Sequence, residues 1–140
     1  LRHVDEEIAK RKIVFERYLT NLSDVAGITL PRLQVGVRPN YAYFPIVIDE
    51  TVFGATRDDA FGALASKNIR ARKYFYPLIS DYACYKNYSE ASHTPIAQRI
   101  ARRVLTLPMY ADLDVKNVDI ICRIVKEAAY AKGNTQRREK

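Results

Sequence analysis

Residues 41–48 read YAYFPIVI, a run of aromatic and β-branched side chains that predicts a β-strand. Pro45 lies in the middle of this run, and proline cannot donate a hydrogen bond to a neighbouring strand. The pattern therefore predicts that residues 41–48 form an edge strand or contain a bulge. Two more short strands are predicted at residues 69–78, which lead into a turn at Pro77, and at residues 104–109.

Helical patterns precede and separate these strands. Apolar residues recur at helical spacing from Val4 to Leu22, and Gly27 marks the end of the segment. A second helix is predicted to begin at Thr56, because Thr56 and Asp59 have the spacing of a capping box, and to stop at Asn68. Residues 28–39 contain two prolines and a glycine, so we interpret them as a connector.

Two further helices follow in the second half of the chain. Thr94 and Pro95 are typical of a helix start, and Asp114 is a plausible cap for the last helix. The predicted inner faces are Ile96, Ala97, Ile100 and Ala101 in the first, and Val118, Ile121, Cys122, Val125 and Ala129 in the second. Residues 80–93 are predicted to form a long loop anchored by Tyr82, Tyr85 and Tyr88, and residues 133–140 a frayed tail.

Three short strands with helices packed on them predict a two-layer α/β or α+β fold, with residues 1–140 as a single domain. The chain is 48% hydrophobic and 28% charged, which excludes a disordered chain, and it has no apolar run long enough for a membrane helix. Cys84 and Cys122 lie too far apart to indicate a metal site, and we interpret them as reduced thiols of a cytoplasmic protein. The formal net charge of +7 favours an anionic ligand or simply maintains solubility.

Residues 70–77 read RARKYFYP and are the most unusual stretch of the chain, which we call the aromatic tract. One interpretation is a ligand-binding edge, in which the cations bind phosphate and the aromatic rings stack on a base or a sugar. The other is an ordinary strand with a solvated basic flank. No lysine of the chain is placed by its neighbours in an environment that predicts a Schiff base, so no catalytic residue is assigned, and no metal site is predicted.

Residues 40–45, 56–59, 68–78 and 107–113 together resemble the C-terminal small domain of the DegT/DnrJ/StrS sugar aminotransferases. The resemblance covers nearly the whole chain. The Arg72–Leu78 run and the later Leu-Pro-x-Tyr-x-Asp-Leu are specific when they occur together. The fold that this resemblance implies is a small antiparallel sheet of about three strands packed by helices, as in the C-terminal domain of fold-type I aminotransferases.

The resemblance also implies a function. Members of this family use pyridoxal phosphate, held on a lysine of a larger N-terminal domain, to transfer an amino group from glutamate to a keto sugar carried on a nucleotide diphosphate. They act as homodimers. The Arg-Lys-Tyr-Phe-Tyr-Pro form of residues 72–77 resembles that of members that act on dTDP-linked keto-6-deoxyhexoses. On this resemblance we expect substrate binding by Tyr74, Phe75 and Tyr76, and we infer from their position that Arg72 and Lys73 meet the diphosphate.

Several expectations follow for a chain of this kind. Residues 1–24 would be the connecting helix from the large domain, the chain alone would be inactive, and an apolar patch would be exposed where that domain is absent. Two alternatives stay open on sequence alone. One is a non-catalytic basic α/β module that binds nucleic acid or a nucleotide, and the other is a relative that keeps the fold without catalysis.

Overall fold

The structure is a computed structural model that describes residues 2–85 and 94–136, with side chains described as far as residue 129. The helices are α1 (Val4–Leu22), α2 (Glu50–Phe53), α3 (Arg57–Ala65), α4 (Pro95–Arg103) and α5 (Val115–Gln136). The strands are β1 (Ile28–Thr29), β2 (Phe44–Ile48) and β3 (Val104–Leu107), and two short 3-10 turns occupy Ile79–Asp81 and Ala83–Tyr85.

The three strands form one antiparallel sheet in the order β1-β2-β3, which confirms the predicted fold class. One of the strands differs from the prediction. Residues 69–78 form no strand, and their backbone pairs with the sheet at a single bridge between Arg72 and Thr106. The chain turns after Arg72, where the Tyr76 N–H donates a hydrogen bond to the Lys73 carbonyl. The third strand is instead β1, a two-residue segment within residues predicted to be a connector.

Pro45 lies in the central strand, so the prediction of an edge strand or a bulge was wrong. Pro45 is paired with Thr106, whose N–H and C=O both bond to Arg72 on the far side of β3. The Pro45 nitrogen therefore points towards β1, which extends only alongside Val47 and Ile48. No ladder hydrogen bond is lost at Pro45, since no strand lies beside it on that side.

The core lies between the sheet and helices α1, α3 and α5. In β2, Phe44, Ile46 and Ile48 alternate into this core, as the period of a half-buried strand requires. Tyr18 stacks on Phe44 at 4.7 Å between ring centroids. The Tyr18 hydroxyl donates to the Pro108 carbonyl at 2.9 Å, and burial raises the pKa of this phenol. This part-buried bond ties α1 to the segment that follows β3.

The predicted helix starts are confirmed, whereas α1 ends at Leu22, before the predicted Asp24 to Gly27, and α3 ends at Ala65, before the predicted Asn68. Thr56 and Asp59 form the predicted capping box, and Asp114 accepts a hydrogen bond from the Lys116 N–H at the start of α5. Gly27 adopts φ 81°, and a Cβ there would lie 2.4 Å from the Phe53 nitrogen, so only glycine fits. Helix α5 continues to residue 136, into the segment for which the composition predicts fraying, and residues 137–140 lie outside the described part.

An ion pair joins the first and last helices. Arg17 donates to both carboxylate oxygens of Asp119, at 2.7 and 2.8 Å, and Asn21 donates to the same group. The hydrogen bond from Arg17 is the largest cause that lowers the pKa of Asp119 to about 2. The pair is exposed, so its contribution to stability is small.

The predicted inner face of α4 was wrong in three of its four positions. Only Ala101 is buried, whereas Ile96, Ala97 and Ile100 are exposed, with Ile96 at 70%. The cause is the position of α4, which contacts the rest of the fold through its C-terminal turn, where it leads directly into β3. Ala97 lines one apolar cavity together with Phe75 and Ile79, and Ile96 and Ile100 are exposed on the same helix, so apolar side chains are exposed in this part of the described chain.

We predict that this patch makes the chain self-associate at high concentration. Replacing Ile96 and Ile100 together by lysine should return the chain to a monomer, because charged side chains oppose apolar contact there. Light scattering across a concentration series measures the effect, with Val52→Lys as the control, because Val52 is exposed to 60%, near the 70% of Ile96, and lies on another helix. A wild-type chain that stays monomeric at every concentration would contradict this prediction.

Candidate functional site

A cavity of about 280 Å³ opens at the outer edge of β3, and we call it the arginine–tyrosine cavity. Its polar lining consists of Arg70, Arg72, Tyr43, Tyr74 and Tyr110, and its remaining wall is formed by Ala42 and residues 106–109. The described lining contains no Asp or Glu. Two guanidinium groups without a compensating carboxylate make this cavity suited to an anionic ligand.

The Arg72 backbone is fixed, while its side chain is available to a ligand. Its N–H and C=O both pair with Thr106 of β3, at 2.9 and 2.7 Å. The side chain is exposed, Nη1 donates to the Tyr74 hydroxyl, and the guanidinium carbon lies 5.4 Å from the centroid of the Tyr74 ring. Tyr74 also packs edge-on against Tyr43 at 5.8 Å. The guanidinium group of Arg72 and the phenol of Tyr74 are thus held side by side, where both can donate hydrogen bonds to a ligand.

Lys73 points away from this pair. Its ammonium nitrogen lies 2.6 Å from the Asp58 carboxylate and 4.4 Å from the centroid of the Phe61 ring. The hydrogen bond from Lys73 is the largest cause that lowers the pKa of Asp58, and the charge of Arg57 adds to it. Lys73 therefore anchors the tract to α3 in the structure described.

Tyr76 lies against a buried cation. The Arg57 guanidinium carbon is 4.9 Å from the Tyr76 ring centroid, and the Arg57 side chain is only 4% exposed. Arg57 donates to the carbonyls of Ala101 and Val104, at 3.2 and 3.3 Å, and its Nε lies 2.7 Å from the Asp58 carboxylate. Arg57 thus joins α3, the end of α4, the start of β3 and the aromatic tract at one point.

Phe75 is the most exposed ring of the tract, at 78%. It stacks on Tyr74 at 5.2 Å and forms one wall of a different, almost wholly apolar cavity of about 460 Å³. That cavity is also lined by Ile79, Tyr85 and Ala97. Tyr82 and Tyr85 are half exposed and do not anchor the loop in the core, and Tyr88 lies outside the described residues.

Of the five residues for which sequence predicted substrate binding, the structure brings Arg72 and Tyr74 into one cavity. Lys73, Phe75 and Tyr76 adjoin it but face other neighbours. Sequence reasoning did not single out Tyr43, Tyr110 or Arg57 as parts of the site. Alternation along β2 would have indicated Tyr43, which precedes the buried Phe44 and therefore points outward.

The described residues offer no position for a covalent lysine or a metal ion. None of the lysines with a described side chain is buried, and Lys73, at 28% exposure, is paired with a carboxylate. A Schiff-base lysine needs a neutral amine, which desolvation or cationic neighbours provide. Within residues 2–85 and 94–136, no group of three or more His, Cys, Asp or Glu could hold a metal, and every helix is too short or too polar to cross a membrane.

Comparison with known proteins identifies the family of this chain and structures of the same fold. Residues 1–126 match the DegT/DnrJ/EryC1/StrS aminotransferase family. A dTDP-4-amino-4,6-dideoxy-D-glucose transaminase of Escherichia coli is 42% identical over 128 residues, and the protein of the same description from Shigella dysenteriae is 35% identical over 127. These matches cover 90% and 91% of this chain but 33% and 34% of the two relatives, so the chain spans about a third of the length of the relatives it matches.

Solved structures show the same fold. DesI, crystallised in the presence of its TDP-sugar product, superposes with a TM-score of 0.87 at 23% identity over 100% of this chain and 36% of its own. DesV of S. venezuelae, in complex with a ketimine intermediate, gives a TM-score of 0.80 at 23% identity over 92% of this chain and 33% of its own. At these identities the likeness establishes the fold alone.

Proposed function

Because the chain belongs to the DegT/DnrJ/EryC1/StrS aminotransferase family, we propose that it forms the substrate-closing C-terminal domain of a pyridoxal-phosphate-dependent sugar aminotransferase. The reaction would transfer an amino group from glutamate to a dTDP-linked keto-6-deoxyhexose. The observation that carries the proposal is the arginine–tyrosine cavity, whose two guanidinium groups and lack of lining carboxylates suit a diphosphate, within a chain of this family.

We assign the diphosphate to Arg72 and Arg70, and a sugar or phosphate oxygen to the Tyr74 hydroxyl. Guanidinium groups bind phosphate through paired charged hydrogen bonds, and Arg72 is already held in place by its bonds to β3. Lys73, Phe75 and Tyr76 stay part of the proposed site. Lys73 would give up its ion pair with Asp58 in order to bind the diphosphate. Phe75, which is exposed, and Tyr76, which is half exposed, would contact the substrate or another part of the enzyme.

The name of the E. coli relative supports a finer proposal, that the sugar receives the amine at C4. We also propose that the functional unit is a cytoplasmic homodimer and that residues 1–24 connect to a larger domain. The aminotransferases of this family depend on pyridoxal phosphate, which supplies an electron sink when bound. No described lysine is in an environment suited to covalent attachment of pyridoxal phosphate, so we propose that other residues hold the cofactor. The role that we propose for this domain is to bind and orient the substrate.

An amination assay tests the proposal. The 140-residue chain, given pyridoxal phosphate, glutamate and a dTDP-linked 4-keto-6-deoxyhexose, should form no amino sugar, since it lacks a suitable lysine among its described residues. The product of the complete reading frame that contains this sequence should form it in a glutamate-dependent manner. Amino-sugar formation by the 140-residue chain alone, or none by the complete product, would contradict the proposal.

A further inference from the structure

We propose that a second cavity beside the arginine–tyrosine cavity binds the pyrimidine ring of the nucleotide. This cavity has a volume of about 320 Å³ and we call it the Ile120 cavity. The inference rests on the proposed function, and it adds a base-binding subsite to a site so far assigned only to the diphosphate and the sugar. Its lining residues are Asn68, Ile69, Arg70, Pro108, Tyr110, Leu113, Asn117, Ile120 and Ile121.

The two cavities are contiguous. Arg70, Pro108 and Tyr110 line both of them, so one guanidinium group and one phenol stand at their boundary. The backbone at this boundary is fixed, because the Pro108 carbonyl accepts the buried Tyr18 hydroxyl at 2.9 Å. A ligand with phosphates between Arg70 and Arg72 would therefore extend past Arg70 directly into the Ile120 cavity.

The chemistry of the Ile120 cavity differs from that of its neighbour. Four aliphatic side chains, Ile69, Leu113, Ile120 and Ile121, form most of its wall, and Arg70 is its only charged lining residue among those described. Such a surface suits the faces of a planar ring and not another phosphate. Tyr110, 52% exposed, adds an aromatic face at the entrance.

Polar groups for a ring edge are present as well. Asn68 and Asn117 are among the lining residues, and neither carboxamide makes a hydrogen bond to another described residue, whereas both backbone N–H groups do. A carboxamide offers both donors and an acceptor. That set complements the alternating carbonyl and N–H groups on the edge of a thymine ring.

The volumes of the two cavities are consistent with a ligand whose base and diphosphate occupy different cavities. Small-molecule pockets span about 300–1,000 Å³. One cavity is just below that range and the other is at its lower end, so each alone is suited to part of a nucleotide sugar, whereas the two contiguous cavities together offer room for a base and a diphosphate.

Titrations of the 140-residue chain with dTDP and with inorganic pyrophosphate separate the two subsites. We expect dTDP to bind at least tenfold more tightly than pyrophosphate. Ile120→Glu should remove that advantage, because it puts a charge in the apolar wall. The matched control is Val115→Glu, which adds the same charge to the same helix. Val115 is 38% exposed, close to the 41% of Ile120, but it does not line the cavity. Arg70→Gln should weaken both probes, because Arg70 stands at the boundary.

Three results would overturn the inference, and they differ in what else they affect. Equal affinity for dTDP and pyrophosphate would remove the base subsite and leave the proposed diphosphate site intact. An advantage of dTDP that persists in Ile120→Glu would place the base elsewhere. Binding of neither probe would overturn the subsite together with the proposed diphosphate site.

Discussion

Replacing Arg57 by methionine should lower the free energy of unfolding by about 3 kcal/mol, a large effect for one side chain of a small domain. Methionine keeps the apolar bulk and removes the donors. The Ala101 and Val104 carbonyls would then be left without the Arg57 hydrogen bonds in a buried position. The Ala101 carbonyl belongs to the last turn of α4, where helical carbonyls have no partner within the helix and a cation is favourable.

The effect of this substitution should depend on pH. The pKa of Asp58 is lowered in the folded chain, first by Lys73 and then by Arg57. Its pairing therefore stabilises the fold above the unfolded pKa of about 3.9, and this contribution is lost as the pH falls through the lower folded value. The difference in free energy of unfolding between wild type and Arg57→Met should therefore become smaller in acid. It should not vanish, since the hydrogen bonds from Arg57 to the two carbonyls do not depend on pH.

Urea unfolding of the two chains at neutral and acid pH measures both effects. Arg99→Met is the matched control, because Arg99 is exposed on α4 and should change the free energy of unfolding by less than about 0.5 kcal/mol. An Arg57→Met chain as stable as this control would show that the buried guanidinium does not hold the α3, α4 and β3 junction together.

Replacing Arg72 by glutamine should weaken dTDP binding by about tenfold to a hundredfold, the range expected when a hydrogen bond to a charged group worth about 1.5–3 kcal/mol is lost. The loss should be equal for dTDP and pyrophosphate, since Arg72 is assigned to the phosphates. Stability should change little, because the side chain is exposed and the backbone bonds to Thr106 remain.

Isothermal titration of the variant chain with both ligands tests this assignment. Arg99→Gln removes the same charge from an exposed site that does not line the cavity, and its affinity should stay within about twofold of wild type, since a distant exposed charge is screened at physiological salt. Equal losses in Arg72→Gln and Arg99→Gln would mean that net charge alone attracts the ligand and that Arg72 makes no specific contact.

The strands illustrate what sequence could predict of the fold. β2 and β3 were predictable because their apolar patterns reflect burial in a core that they share. The Thr56–Asp59 capping box was predictable because its interactions are local. β1 was not, since a strand of two residues leaves no periodic pattern and forms only because β2 offers it a partner.

The wrong predictions have a common cause, which is that the structure of these segments depends on residues distant in sequence. Residues 69–78 have the composition of a strand, yet their pairing with β3 stops after Arg72 because the chain turns. Ile96 and Ile100 follow the spacing of a buried face, but spacing cannot show whether the described chain supplies a surface to cover them. For the candidate site, the tract indicated Arg72 and Tyr74, whereas Arg57 was missed because its burial depends on contacts more than 40 residues away.

Borohydride reduction of the complete reading-frame product with pyridoxal phosphate, followed by peptide mapping, tests most directly whether this chain is the substrate-binding domain of such an aminotransferase. The account predicts that the pyridoxyl label is found on a lysine that is not part of residues 1–140. A label on Lys73 or on any other lysine of this chain, or a protein that takes up no pyridoxal phosphate, would contradict it.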